Sequence, residues 1–185
     1  MELKKHNLTN KNRLIISTGD PAGIGGEVIL KALGSKNLPK AMQPILVGCQ
    51  KYLESTYMQL KSKGIQNLAD PCFLEIENLP IESKITPGEP NKISAAMSFE
   101  WLTHATKLVM NKKARALVTA PISKHFWHAA GYNYPGQTER LGELAQVKNP
   151  SMLFTAVSPK NGRRINTLLA TTHIPLIDVT HQLTP

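Results

Sequence analysis

The chain has 185 residues, of which 41% are hydrophobic, and this is enough for one domain with a packed core. It contains no run of eighteen apolar residues, so we expect no transmembrane helix, and its polar N-terminus does not fit a secretory signal. Two cysteines without a metal-ligand spacing predict free thiols in a reducing cytoplasm, and residues 1–12 predict a disordered basic tail.

The formal net charge of +9 is unevenly distributed. Residues 112–185 hold nine Lys and Arg against three Asp and Glu, an excess of +6, whereas residues 14–111 hold nine of each. A basic half can attract nucleic acid, but these nine cations are scattered and do not cluster with aromatic residues. We therefore expect no nucleic-acid binding, and a phosphorylated small molecule as the charged partner.

The first elements form a strand, a glycine-rich turn and a helix. Leu14–Ser17 predicts a buried strand, residues 18–26 predict the turn, and the helix that follows has Val28 on its apolar face. This geometry can hold phosphates or nucleotides, although the glycine spacing fits neither the dinucleotide fingerprint nor the P-loop. Asp20 in the turn is a candidate to orient a substrate hydroxyl or a lysine, and an Asx-turn is the structural alternative.

Strands and helices continue to alternate up to residue 113. Pro44–Gly48 and Phe73–Ile76 predict strands, and residues 50–63 and 91–113 predict helices with apolar residues three and four apart. Residues 78–91 contain three prolines and predict a connection between two layers or subdomains. This alternation indicates an α/β sheet with at least some parallel pairing.

Residues 116–144 predict a strand, a short helix, a loop and a second helix. Ser123 is predicted to cap the first helix and Thr138 the second, so that two helix N-termini lie near one loop. Helix N-termini favour anions through their free N–H groups and their dipole. Lys124 lies in the first turn of its helix, where the dipole disfavours a cation, so a nearby anionic ligand would better explain a lysine there. The alternative is an exposed surface lysine without a ligand.

The last part of the chain predicts two strands, Met152–Val157 and Ile165–Ala170, joined by a turn at residues 159–162. Pro175 is predicted to start a final helix. His173 lies between the second strand and this helix, and this position gives it the best context for a site among the six histidines. The other five are interpreted as structural or solvent-exposed.

Four segments carry a family resemblance: STGDPAGIGGEVILKAL at Ser17–Leu33, VTAPISK at Val118–Lys124, AGYNYPGQTE at Ala130–Glu139 and ATTHIPL at Ala170–Leu176. In this order they resemble the 4-hydroxythreonine-4-phosphate dehydrogenase family of pyridoxine biosynthesis. The resemblance implies an α/β fold like that of isocitrate and isopropylmalate dehydrogenases, with a mixed sheet and flanking helices. Residues 13–185 would form about the first half of that fold, with residues 91–185 leading into the second subdomain and the cleft.

The resemblance also implies an activity. Family members oxidise the C3 hydroxyl of 4-phosphooxy-L-threonine with NAD or NADP, and the keto acid then decarboxylates. His173 matches a ligand of their divalent metal (Zn, Mg or Co), while two further histidines lie in the half that follows and a homodimer completes the site. In such a cytoplasmic oxidoreductase we assign Asp20 and Lys124 to catalysis.

Gln137 and Thr138 match the substrate-contacting His-Thr pair of the family, in which the first residue is usually histidine. An amide keeps donor and acceptor capacity but does not titrate near neutral pH. This departure keeps open a sister dehydrogenase acting on a phosphorylated sugar acid, such as phospho-threonate or phospho-erythronate. Because the chain stops about halfway through a family member, a non-catalytic remnant or a subunit that needs a second chain is a further alternative.

Overall fold

The computed structural model describes residues 10–171 and 174–183, so most of the predicted basic tail lies outside the described residues. Strands and helices follow in this order: β1 (Arg13–Ser17), α1 (Gly25–Leu33), β2 (Gln43–Gly48), α2 (Gln50–Ser62), β3 (Glu75–Asn78), α3 (Lys92–Met110), β4 (Ala116–Thr119), α4 (Lys124–Ala129), α5 (Gln137–Leu144), β5 (Leu153–Val157), β6 (Arg164–Leu168) and α6 (Leu176–Gln182). They divide into two compact units, with the boundary between Ala145 and Gln146.

The first unit is built on a four-stranded parallel sheet with the strand order β3-β2-β1-β4. One face packs against α3 through a cluster that includes Ile15, Ile45, Val47 and Trp101. The other face packs against α1 and α2 through a cluster that includes Ile16, Ile29, Leu46 and Leu53. A parallel sheet that is covered on both faces requires strands with continuous apolar runs, and β1 and β2 have them.

Helix α3 begins with a capping box, in which the Asn91 side chain accepts from the N–H groups of Ile93 and Ser94, and Ser94 Oγ accepts from Asn91 N. The predicted helix is therefore confirmed, with a start that its cap defines. On α1 the predicted apolar face is partly wrong. Val28 is 47% exposed, whereas Leu30 is fully buried.

The predicted strand at Phe73–Ile76 is wrong in its first half. Asp70 accepts from Cys72 N and caps a short 3-10 turn at Pro71–Phe73, so that β3 begins only at Glu75. Phe73 is 89% exposed as a result. The local side-chain bond from Asp70 outweighs the strand preference of the aromatic residue.

The second unit contains an antiparallel hairpin and one helix. The pairing runs from Leu153↔Leu168 to Val157↔Arg164, and every residue of β5 and β6 is exposed. The predicted turn is confirmed, as is the start of α6 after Pro175. Antiparallel pairing is thus confined to this hairpin among the described strands. Of the helices described in the two units, none has the length and hydropathy to cross a membrane.

The sheet topology places the candidate site. β1 and β4 are neighbouring parallel strands, and Ser17 pairs with Thr119 at their ends. The segments that follow the two strands therefore meet at one edge of the sheet, which is where ligands bind in open α/β sheets.

Candidate active site

The turn after β1 and the segment after β4 are joined through their backbones, and we call this contact the strand-end junction. Ala120 N donates to Ser17 O at 3.0 Å, and Asp20 N donates to Pro121 O at 3.0 Å. Gly19 has a φ of +73°, and a Cβ atom at this position would lie 2.3 Å from Pro121 O. Both the conformation and the lack of space require glycine there.

Asp20 is only 3% exposed within this junction. Its Oδ1 accepts from Ala22 N at 2.9 Å, which is the Asx-turn given above as the structural alternative. Its Oδ2 is buried and has no hydrogen-bond partner among the described residues. A buried acceptor without a partner costs about 1–3 kcal/mol, so a donor from a ligand or a bound water would stabilise the site at this atom. One carboxylate oxygen thus shapes the turn while the other still lacks a donor.

A cleft of about 440 Å³ lies beside the glycine-rich turn. Its lining combines this turn with α2 and two loops, and includes Asp20, Ile24, Glu27, Tyr52, Pro87 and Ser123. Tyr52 links α2 to α1, because its hydroxyl accepts from Gly26 N at 3.1 Å. Burial raises the pKa of Tyr52 above its ordinary value of 10.0. Sequence reasoning did not single out Tyr52, since only the fold brings it to Gly26.

The two predicted helix caps have different outcomes. Ser123 caps α4, as predicted, because its Oγ accepts from the backbone N–H three residues further on at 3.5 Å. The predicted cap at Thr138 is wrong: α5 already begins at Gln137, with Gly136 as the N-cap residue and no side-chain cap. Thr138 therefore lies inside the first helical turn. The first N–H groups of α5 are left without a side-chain acceptor, which is the arrangement that suits an anion.

Gln137 is held by the strand-end junction. Its Nε2 donates to Ala120 O at 3.2 Å, while its Oε1 is buried without a partner in the described part of the chain. A carbonyl oxygen can only accept, so this contact fixes which end of the amide faces Ala120. One of the two N–H groups of the amide is used by this contact, while Oε1 lacks a partner among the described residues. That Gln137 offers a ligand both a donor and an acceptor stays a prediction.

Lys124 lies close to the start of α5. A Cβ atom built on Gly136 would lie 3.5 Å from Lys124 Nζ and 3.4 Å from Glu139 Oε2. Lys124 is exposed, and it forms no ion pair with any described carboxylate. An ammonium group without a carboxylate partner and a helix N-terminus without a side-chain cap thus lie side by side, and both favour an anion.

Arg140 contacts several residues around the start of α5. From the sequence it was included only among the nine scattered cations and was given no role in the site. Its guanidinium lies 4.6 Å from the Phe99 ring centroid and 5.5 Å from that of Tyr134. It donates twice to Thr103 Oγ1, at 3.3 and 3.2 Å, and once to the Tyr134 hydroxyl at 3.1 Å. Phe99 also stacks on Tyr132 at a centroid distance of 3.8 Å. We call these five residues the arginine cluster.

The structure brings Lys124, Gln137 and Thr138 together at the start of α5, and Gln137 shares the strand-end junction with Asp20. His173, the predicted metal ligand, lies outside the described residues. Within residues 10–171 and 174–183, no group of three His, Cys, Asp or Glu side chains is arranged to hold a metal ion.

Comparison with known proteins points to one family. Residues 40–185 match the family model of the pyridoxal phosphate biosynthetic protein PdxA. A 4-hydroxythreonine-4-phosphate dehydrogenase of Synechococcus sp. strain RCC307 is 54% identical over 173 residues, which cover 94% of this chain and 52% of the relative. Another from Synechocystis sp. strain PCC 6803 is 45% identical over 177 residues, with coverages of 94% and 50%. The chain thus spans about half the length of the curated relatives it matches.

Solved structures agree with this match. The 4-hydroxythreonine-4-phosphate dehydrogenase of Burkholderia phymatum aligns with a TM-score of 0.78 at 25% identity, covering 95% of this chain and 54% of that one. The enzyme of Klebsiella pneumoniae aligns with a TM-score of 0.76 at 26% identity, covering 94% and 54%. The predicted fold class is confirmed. Since the family model matches well over half of the sequence, the chain belongs to the pyridoxal phosphate biosynthetic protein PdxA family.

Proposed function

We propose that this chain forms the substrate-orienting part of a 4-hydroxythreonine-4-phosphate dehydrogenase. The reaction oxidises the C3 hydroxyl of 4-phosphooxy-L-threonine with NAD or NADP, and the resulting keto acid loses carbon dioxide. The observation that carries the proposal is the start of α5, where a helix without a side-chain cap lies beside the Lys124 ammonium. The curated relatives bear this enzyme's name, which supports a dehydrogenase that acts on this substrate.

The chemistry of the substrate fits the groups of the site. 4-Phosphooxy-L-threonine has two anionic groups, and the N–H groups around Thr138 together with Lys124 offer a site for one of them. It also has an ammonium and a hydroxyl, which are hydrogen-bond donors. Asp20 Oδ2 and Gln137 Oε1, which are buried and lack partners among the described residues, match such donors.

The metal and the dinucleotide belong to the same proposal. We place His173 among the ligands of a divalent metal, Zn, Mg or Co, whose other ligands come from the rest of the family fold and from a homodimer partner. When bound, such an ion polarises the substrate hydroxyl as a Lewis acid. We place part of the NAD or NADP molecule in the cleft lined by Asp20, Glu27 and Tyr52, which has a volume of about 440 Å³. These three side chains can form hydrogen bonds with the hydroxyl groups of the dinucleotide.

The direct test is a chimera that joins residues 1–185 to the C-terminal half of the Synechococcus RCC307 relative. We expect the chimera to form NADH from 4-phosphooxy-L-threonine in the presence of a divalent metal. His173→Ala should abolish turnover and lower the metal content, because a lost ligand is rarely replaced. His104→Ala serves as the matched control, since His104 contacts Glu77 away from the strand-end junction. Unchanged metal content in His173→Ala would contradict the assignment.

The polypeptide of residues 1–185 by itself is the second arm of this test. We expect it to form no NADH with any divalent metal, because hydride transfer requires the two reacting carbons to be held about 3–3.5 Å apart. We propose that this geometry needs the part of the relatives that the chain does not match. NADH formation by residues 1–185 alone would contradict this, and an inactive but folded chimera would favour a non-catalytic role.

A sister activity on a phosphorylated sugar acid is the second candidate, and Gln137 is the observation that favours it. Its free acceptor, Oε1, can receive a hydrogen bond from a hydroxyl as well as from an ammonium. The ratio of kcat/KM for 4-phosphooxy-L-threonine and for 4-phospho-threonate in the chimera decides between the two. A ratio well above one supports the amino-acid substrate, and a ratio well below one supports the sugar acid.

A further inference from the structure

Helix α5 has little apolar burial of its own. It is eight residues long, and Gly142 is its single fully buried residue. Such a short helix does not form stably without tertiary contacts. The contacts that hold α5 in place therefore also decide where its first turn, with Gln137 and Thr138, is presented.

Leu141 packs against the buried cluster of Ala95, Leu102 and Trp127, and Arg140 adds hydrogen bonds that tie three elements together. Arg140 belongs to α5, it donates to Thr103 on α3, and it donates to Tyr134 in the preceding loop. Its Cζ atom lies over the Phe99 ring, and only 13% of its side chain is exposed. A planar guanidinium can combine such in-plane donation with stacking, whereas a lysine ammonium cannot.

The position of Arg140 connects these contacts to the candidate site. Arg140 follows Gln137 by three residues, which is about one helical turn, so the two residues move together. Tyr134 precedes the N-cap residue Gly136 by two residues. The arginine cluster thus contacts the chain both before and after the first turn of α5.

We propose that Arg140 is a positioning residue, which fixes the start of α5 on α3 so that its N–H groups and Gln137 keep their place at the strand-end junction. The identity of the ligand in this inference rests on the proposed function. A merely structural role would lower the stability of the fold but leave the affinity of the folded molecules unchanged. A positioning role lowers that affinity as well.

The experiment uses the full 185-residue chain and compares Arg140→Met and Arg140→Lys with the wild type. Arg13→Met is the matched control, because Arg13, like Arg140, is partly buried and forms an ion pair, in its case with Glu75 and in that of Arg140 with Glu143, but lies at the start of β1. The first measurement is amide hydrogen exchange by mass spectrometry in residues 132–138 and in β1 and β2. The second is calorimetric titration with 4-phosphooxy-L-threonine, at a temperature where circular dichroism shows every variant to be folded.

We expect Arg140→Met to raise exchange in residues 132–138 by at least about tenfold, without a change in β1 and β2. We also expect it to weaken ligand affinity by about tenfold. Arg140→Lys should not restore either value, and Arg13→Met should change neither. Unchanged exchange in residues 132–138, or unchanged affinity in Arg140→Met, would overturn the proposal.

A wild-type chain that binds no 4-phosphooxy-L-threonine would count against the proposed function and not against the role of Arg140. The exchange measurement then decides alone. Faster exchange confined to residues 132–138 in Arg140→Met supports the positioning role, and wild-type exchange there refutes it.

Discussion

Two turns flank the strand-end junction, and different contacts hold them. In the turn at residues 18–26, a Cβ atom on Gly25 would lie 2.1 Å from Thr18 O. In the turn at residues 131–138, a Cβ atom on Gly131 would meet nothing within 4 Å. The first turn is therefore fixed by backbone packing. The second is held by side chains, chiefly the arginine cluster.

This difference bears on which parts of the site can change. A turn that is packed backbone against backbone accepts almost no substitution. A turn that is held by side chains can accept new residues as long as its anchors remain. Gln137, the departure from the family's usual histidine, lies in the second turn. We therefore expect differences in ligand preference to arise there and not in the glycine-rich turn.

Gly25→Ala should have the largest effect on stability. The added methyl group would lie 2.1 Å from Thr18 O and 3.1 Å from Ala120 Cβ, and neither neighbour is a flexible side-chain tip. The backbone of the strand-end junction would have to shift, so we expect a loss of about 3 kcal/mol in the free energy of unfolding. Urea unfolding followed by circular dichroism measures it. A loss below about 1 kcal/mol would show that the first turn is not tightly packed.

Gly131→Ala should have an intermediate effect. Gly131 has a φ of +92°, but it has open space around it, so the cost is conformational strain without a clash. We expect a loss of about 1–2 kcal/mol, and a smaller loss for Gly131→Asn, since asparagine tolerates positive φ better. The same urea experiment applies. If Gly131→Ala costs as much as Gly25→Ala, the second turn is packed as tightly as the first and the comparison fails.

Local patterns were sufficient to predict most of the fold. The apolar run of β1 predicted a buried strand, the alternation of strands and helices predicted an α/β sheet with parallel pairing, and Ser123 predicted the start of α4. The failures have local causes that compete with such patterns. Asp70 closes a turn where Phe73 favours a strand, and α5 begins at Gln137, one residue before the predicted cap.

The candidate site was predictable only in part, because its geometry depends on contacts between distant residues. The motifs identified Asp20 and Gln137, but the orientation of the Gln137 amide depends on Ala120, seventeen positions away. Arg140 finds its partner Thr103 thirty-seven positions away on α3. No spacing of neighbouring residues indicates such a contact. The role of Arg140 could therefore not be predicted from the pattern of charges in the sequence.

Gln137→Leu tests whether the second turn tolerates changes at its ligand-facing residue. The substitution removes the hydrogen bond to Ala120 O, which destabilises, and it also removes the buried Oε1 without a partner, which stabilises. Each contribution is about 1 kcal/mol, so the net change in unfolding free energy should stay within about 1 kcal/mol. Urea unfolding checks this value. A loss above about 2 kcal/mol would mean that Gln137 is itself an anchor of the turn.

The hydrogen bond from the Tyr134 hydroxyl to Glu143 gives the second turn a pH dependence. This bond lowers the pKa of Glu143 below 4.5 and raises the pKa of Tyr134 above 10.0. The contribution of Glu143 to the free energy of unfolding is present above the pKa of Glu143 in the unfolded chain, and it is lost as pH falls through the lower pKa of the folded state. The contribution of Tyr134 to the free energy of unfolding is present below the pKa of Tyr134 in the unfolded chain, and it is lost as pH rises through the higher pKa of the folded state.

Tyr134→Phe therefore should differ most from the wild type near pH 7, and the difference should shrink near pH 3 and pH 11, beyond the ordinary pKa values of 4.5 for Glu and 10.0 for Tyr. We expect a small effect, because solvent screens this exposed pair. Urea unfolding at three pH values measures it, and Tyr57→Phe on α2 is the control. A difference that stays constant across these pH values would argue against the hydrogen bond.

Gly136→Ala should have the smallest effect, although it adds the same methyl group as Gly25→Ala at another helix start. Gly136 has extended backbone, with a φ of −174°, which alanine adopts without strain. Its Cβ atom would lie 3.4 Å from the flexible tips of Lys124 and Glu139, and these can move aside. Alanine also reduces the entropy of the unfolded chain, which offsets the tighter contact, so we expect a change within about 0.5 kcal/mol. A loss close to that of Gly25→Ala would show that backbone packing fixes both turns, and would remove the basis for placing ligand preference in the second.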